Sequence, residues 1–208
     1  MRAAHELPDV PGLLVLMQTD PTAARRRLEE DTRRHPSDKN AWHNLGLVHL
    51  QMRSHRDARE CFARVLELDK EDNYAICRLI ELSAELKDME AVEHWCSVMA
   101  KMRHGRIAAI AFRARALVKC DRYGDAKDLI MAASRNYPDE PDIWVACGDV
   151  WMTYPDSSTA MSNASVAYFN AIGLLKERSD VERLREIERR FKQAQENLER
   201  CKRDAGVK

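Results

Sequence analysis

The stretch WHNLGLVH, Trp42 to His49, sets a glycine inside what otherwise reads as a helix, with Trp42, Leu45 and Val48 three apart. A glycine in a helix interior costs about 1 kcal/mol relative to alanine, so Gly46 asks for a packing reason. Working outward, Ala58, Phe62 and Val65 follow at helical spacing, and the run closes on the turn-forming LDKEDN, residues 68–73. The same frame returns at Trp144, Cys147, Gly148 and Trp151. Between the two, Ile110, Arg113, Ala114, Leu117, Ala126, Ile130, Ala133 and Pro138 keep it. A glycine that recurs in frame marks a place where a second helix comes close.

Composition narrows the function classes. Of 208 residues, 33% are charged and only 7 are Gly and 7 Pro, which favours helices over a turn-rich β fold. The 34 basic and 34 acidic residues cancel, which counts against nucleic acid as the main ligand. Cysteines stand singly at 61, 77, 96, 120, 147 and 201 without a CxxC pair, a pattern expected of buried thiols in the reducing cytoplasm. Near the N-terminus one arginine precedes Pro8 and Pro11, and the apolar run LLVLM is too short for a secretory signal or a membrane span. No phosphate loop, nucleophile elbow, zinc-protease or dinucleotide motif occurs, so neither enzyme activity nor a cofactor is expected. His94 and Cys96 flank Trp95 on one helix, and their directions diverge too far for a shared metal ion.

The recurring frame resembles the tetratricopeptide repeat, a 34-residue helix–turn–helix with the pattern W-x2-L-G-x2-Y followed by A, F, A and P. The resemblance implies an all-α, right-handed superhelical solenoid of antiparallel helix pairs, each with a first helix A and a second helix B. Residues 1–38 read as a degenerate N-terminal capping repeat, with Ala24, Leu28 and Pro36 where a B helix has them. Residues 39–178 hold four helix pairs, beginning near 39, 73, 107 and 141, and residues 179–208 a C-terminal capping helix and tail. In the second pair Ala91 and Trp95 come one residue early, which predicts a shortened turn. In the fourth, YPDSSTAMSN is an insertion before Ala164, Tyr168 and Ala171 resume the pattern. Ser179-Asp180-Val181-Glu182 reads as a capping box opening the last helix. Eleven helices are expected in all. Gly46, Ala114 and Gly148 on the A helices would meet Ala58 and Ala126 on the B helices, letting backbones approach.

In that family function is the binding of proteins or peptides in a concave groove lined by A helices. Transferred to this sequence, the groove positions include His43 and Asn44, then Tyr74, Arg78, Glu81 and Glu85, then Phe112, Arg115 and Lys119, and finally Asp142, Val145, Asp149 and Met152. The carboxylate clamp for chaperone tails is not expected, because its positions hold His43, Leu47, Arg78, Ala108 and Phe112. From Lys101 to Lys119 there are six cations and no acid. Arg115 and Lys119 share a helix face, and with Arg78, Asn44, Tyr74 and Phe112 they suit a peptide with acidic and apolar residues.

The expected function is a non-enzymatic scaffold or adaptor without membrane attachment; the alternative is a structural subunit of a multiprotein or ribonucleoprotein assembly. The last helix, with Val181, Leu184, Ile187, Phe191, Ala194, Leu198 and Cys201 on one stripe, reads as a cap over the final repeat. Its coiled-coil-like spacing also allows a homodimer seam.

Overall fold

The computed structural model describes residues 10–205. Among them are eleven α-helices and no strand. The chain divides into two compact units, Met1–Leu86 and Lys87–Lys208. The N-terminal unit holds α1 (Val10–Thr19), α2 (Pro21–Arg34), α3 (Lys39–Gln51), α4 (His55–Leu68) and α5 (Asn73–Glu85). The C-terminal unit holds α6 (Met89–Lys101), α7 (Gly105–Lys119), α8 (Tyr123–Asn136), α9 (Pro141–Trp151), α10 (Ser158–Glu177) and α11 (Val181–Asp204). The opening residues 1–9 of the expected N-terminal cap lie outside the described residues.

Helix ends follow from local chemistry. Asp20, Asp38, Asp72, Asp88 and Asp180 each accept a backbone N–H from the first turn of the helix they precede, satisfying donors that the helix cannot. Asp180 therefore caps α11, and the expected capping box on Ser179 does not form. Ser179 instead ends α10 in the left-handed conformation, φ 58°. Arg53 and Asp121 end α3 and α7 in the same way, with φ 58° and 61°. In each case the next residue's N–H returns to a carbonyl of the last helical turn, as in Ser54 to His49 and Arg122 to Leu117, both at 2.9 Å.

The glycine question has a geometric answer. A Cβ on Gly46 would lie 2.9 Å from Phe62 Cζ, and one on Gly148 would lie 2.4 Å from Tyr168 Cε1. Thus the glycines admit aromatic rings from the partner helices, α4 and α10, where the sequence suggested backbone approach. Ala58 and Ala164, the small residues on those helices, are fully buried. Gly105 was not singled out from the sequence, yet a Cβ there would lie 1.9 Å from the Met99 carbonyl oxygen, so only glycine fits where α7 starts against α6. The junctions between pairs repeat as well. Trp42 donates its indole N–H to the Pro36 carbonyl at 2.9 Å, and Trp144 donates to Pro138 at 2.7 Å.

Two expected irregularities are resolved differently. The turn before α6 is not shortened. It occupies residues 86–88, matching 52–54 and 120–122, and α6 buries Val92, Cys96 and Met99 while Ala91 and Trp95 are only half-buried. The insertion near residue 154 is partly helical, so α10 runs to 20 residues against 14 for α4 and α8.

Beyond Val181, which is exposed, the stripe of α11 is spent within the chain. Ile187 and Ala194 pack with Tyr168, Ala171 and Leu175, and Leu184 and Phe191 lie against the same cluster. Cys201 packs with Ala160 and Met161, flanked by Leu198 and Tyr154. A homodimer seam along this stripe would need the helix to leave its own core.

Candidate functional site

The six residues expected to face a groove lie on α3, α5 and α7, three in each compact unit. In the N-terminal unit, α5 begins at its Asp72 cap and carries Tyr74 in the first turn and Arg78 one turn on. The Arg78 guanidinium lies 5.0 Å from the Tyr74 ring centroid, and the ring itself is 42% exposed. His43 of α3 lies against the Tyr74 ring, 4.6 Å between centroids and tilted by 41°, and Phe62 is 5.6 Å from His43 and 6.2 Å from Tyr74. Burial pushes the His43 pKa below the usual histidine value, Asp72 acting the other way. Asn44, adjacent on α3, is half-buried.

The charge of this patch is partly internal. Arg78 pairs with Glu81 at 3.0 Å along its own helix, as the presence of Glu81 in the expected groove allowed. Lys39 bridges Asp69 at 2.7 Å and Asp72 at 3.0 Å. The hydrogen bonds that Lys39 donates to the two carboxylates raise its pKa, and the same bond holds Asp69 low. Asp72 is also held low: burial works against this, and the Ala75 N–H and Lys39 outweigh it. The sequence offered no sign of this bridge, because its members are thirty residues apart.

In the C-terminal unit, Phe112, Arg115 and Lys119 share α7. The Arg115 guanidinium covers the Phe112 ring at 4.5 Å, and Arg115 and Lys119 are both exposed. Of the six cations between Lys101 and Lys119, Arg113 turns away to Glu93 of α6 at 2.8 Å. The Lys119 carbonyl accepts from the Lys87 ammonium, which also meets Asp121 at 2.7 Å. Thus the structure brings Tyr74 to Arg78 and Phe112 to Arg115, each as a cation resting on a ring.

The fourth set of expected groove positions is not available to a ligand. Asp142 pairs with Arg183 of α11, and Asp149 receives both Arg190, at 2.7 and 2.9 Å, and the Tyr168 hydroxyl at 2.8 Å. Val145 and Met152 lie against the apolar cluster under α11. The last helix fills this part of the groove face, and sequence reasoning missed it because only the stripe of α11, and not its arginines, was matched to a partner.

No group of three or more His, Cys, Asp or Glu residues suited to a metal occurs among the described residues. No described helix is long and apolar enough to cross a membrane.

Comparison with known proteins agrees with this architecture. Residues 40–72 match the tetratricopeptide repeat family model. Among solved structures, the chain is similar to PilF of Pseudomonas aeruginosa, with 14% identity, 95% of each chain covered and a TM-score of 0.54. It is also similar to PilW, a type IV pilus biogenesis factor, with 12% identity, 91% of this chain and 94% of that one, and a TM-score of 0.53. A third is YrrB, described as a tetratricopeptide protein with an unusual peptide-binding site, with 13% identity, 79% and 84% coverage and a TM-score of 0.50. No curated protein matches the sequence. The fold is the all-α solenoid type built from helix pairs, as in the tetratricopeptide-repeat structures it is similar to, and residues 40–72 match one such repeat.

Proposed function

We propose that the chain is a non-enzymatic protein-interaction scaffold that binds partner segments bearing acidic and apolar residues, with Asn44, Tyr74 and Arg78 as contacts in the N-terminal unit and Phe112, Arg115 and Lys119 in the C-terminal unit. The observation that carries this reading is the paired cation and ring in each unit, Arg78 on Tyr74 and Arg115 on Phe112. A guanidinium held flat by an aromatic face keeps its edge donors for a ligand carboxylate, while the ring offers apolar area beside it. The YrrB structure shows that this fold can hold a peptide. The buried Cys61, Cys96 and Cys147 thiols, pushed up to about 12 chiefly by burial, support placing the protein in the reducing cytoplasm.

The test is charge reversal. Arg78→Glu with Arg115→Glu should leave helicity and melting unchanged and weaken capture of the native partner by at least about tenfold, since two attractions for the partner's carboxylates become repulsions and about 1.4 kcal/mol is a factor of ten. Undiminished capture by the double variant would place the ligand elsewhere on the protein.

A further inference from the structure

The N-terminal unit has a cleft of about 650 Å³, walled by α2 and α4 and floored by α3. Trp42, Leu45 and Cys61 give it an apolar base, and its rim carries charge. Two of the rim charges on each side are satisfied locally, since Arg25 pairs with Glu29 at 3.7 Å and Arg64 with Glu67 along α4. That leaves Asp57 and Glu60 as the surplus, so the cleft is net acidic.

One buried group in it is incomplete. His49 is only 6% exposed, it lines the cleft, and its Nδ1 has no hydrogen-bond partner. The Asp57 carboxylate comes to 3.8 Å of it, beyond hydrogen-bond range. Leaving a buried acceptor or donor unmade is unfavourable, and the gap between imidazole and carboxylate is one that a donor with two N–H groups would close. The buried Nε of Arg25 is likewise unpartnered and would take a carbonyl oxygen.

We propose that this cleft docks an arginine-bearing segment of a partner protein. A guanidinium supplies N–H groups in a planar fork, enough to reach His49 Nδ1 and the Asp57 and Glu60 carboxylates together. Its flat face suits the indole of Trp42, which is fixed in place by its own bond to Pro36. An ammonium has the charge but no flat face. The backbone carbonyl of the same segment meets Arg25 Nε. The preference is opposite in sign to that of the patches around Arg78 and Arg115, so the two sites stand or fall separately.

The test uses the full chain, labelled with 15N and titrated with acetyl-Leu-Arg-amide. The isosteric, uncharged acetyl-Leu-citrulline-amide and the acidic acetyl-Leu-Glu-amide serve as controls. The arginine peptide should shift the Trp42 indole N–H and the His49 ring resonances saturably. Affinity should fall by about tenfold or more for the citrulline peptide and for Asp57→Asn with Glu60→Gln, the scale of losing charge assistance. It should be unchanged in Arg78→Glu with Arg115→Glu. The proposal is overturned if the arginine peptide moves neither resonance, if citrulline binds as well, or if the glutamate peptide moves the same signals. The citrulline comparison needs no variant, so it holds even where Asp57→Asn disturbs the start of α4.

Discussion

At Gly148 a methyl group would sit 2.4 Å from the Tyr168 ring, and at Gly46 it would sit 2.9 Å from Phe62. Alanine would gain about 1 kcal/mol of helix propensity at either site, against an overpacking cost of about 1–3 kcal/mol. The balance differs between them. Tyr168 is 1% exposed and its hydroxyl is tied to Asp149, so its ring cannot step aside, whereas Phe62 has no such tether. Gly148→Ala should therefore lower the urea midpoint more than Gly46→Ala does, and leucine at Gly46 should destabilise by about 1–3 kcal/mol. A Gly46→Leu chain with unchanged stability would show that Phe62 repacks freely. The need for space at these positions was legible in the sequence. What fills the space was not, because the repeat pattern says which positions are small without saying which large neighbour uses the room.

The element that most changes the picture is α11. At 24 residues it spans roughly 36 Å, and besides the Asp142–Arg183 pair to α9 one carboxylate ties it to α9 and α10 together. Asp149 takes the Tyr168 hydroxyl and the Arg190 guanidinium together. Burial and the Asp149 charge both push the Tyr168 phenol upward, and Arg190 is held charged by Asp149 although burial opposes it. Asp149→Ala would leave a buried hydroxyl unpartnered and should cost about 1–3 kcal/mol by urea unfolding. Asp149→Asn keeps an acceptor for Tyr168 and should cost less; equal losses would mean that the Arg190 charge dominates. The helix count followed from the resemblance to the tetratricopeptide repeat, and the apolar stripes, that of α11 included, were readable from spacing. The register of α6 was not, because Ala91 and Trp95 imitate the repeat pattern one position away from the residues that are buried. Nor can a 3-4 spacing tell a partner in the same chain from a second copy.

Over the whole molecule, a net charge of zero conceals how the charges are spent. Lys39 with Asp69 and Asp72, Lys87 with Asp121, Arg113 with Glu93 and Arg178 with Glu140 all join residues twenty or more positions apart. The run from Lys101 to Lys119 looked uniformly cationic for this reason: its Arg113 finds its counter-charge on a different helix. Local reading therefore located Arg78 and Arg115 but overstated the positive field around the second. The left-handed turns at Arg53 and Ser179 carry a consequence for engineering. A side chain held at φ 58° is disfavoured by about 1–2 kcal/mol, and glycine removes that strain at the cost of roughly 0.5–1 kcal/mol of extra chain freedom in the unfolded state. Arg53→Gly and Ser179→Gly should each raise stability by about 0.5–1 kcal/mol and, having no partner in common, should add. A calorimetric scan of the double variant should show a melting temperature about 2–8 °C higher; a lower one would mean that the Arg53 or Ser179 side chain does more than tolerate its turn. A heat-resistant form is thus open to design at two positions that neither the cation-and-ring patches nor the arginine cleft employs.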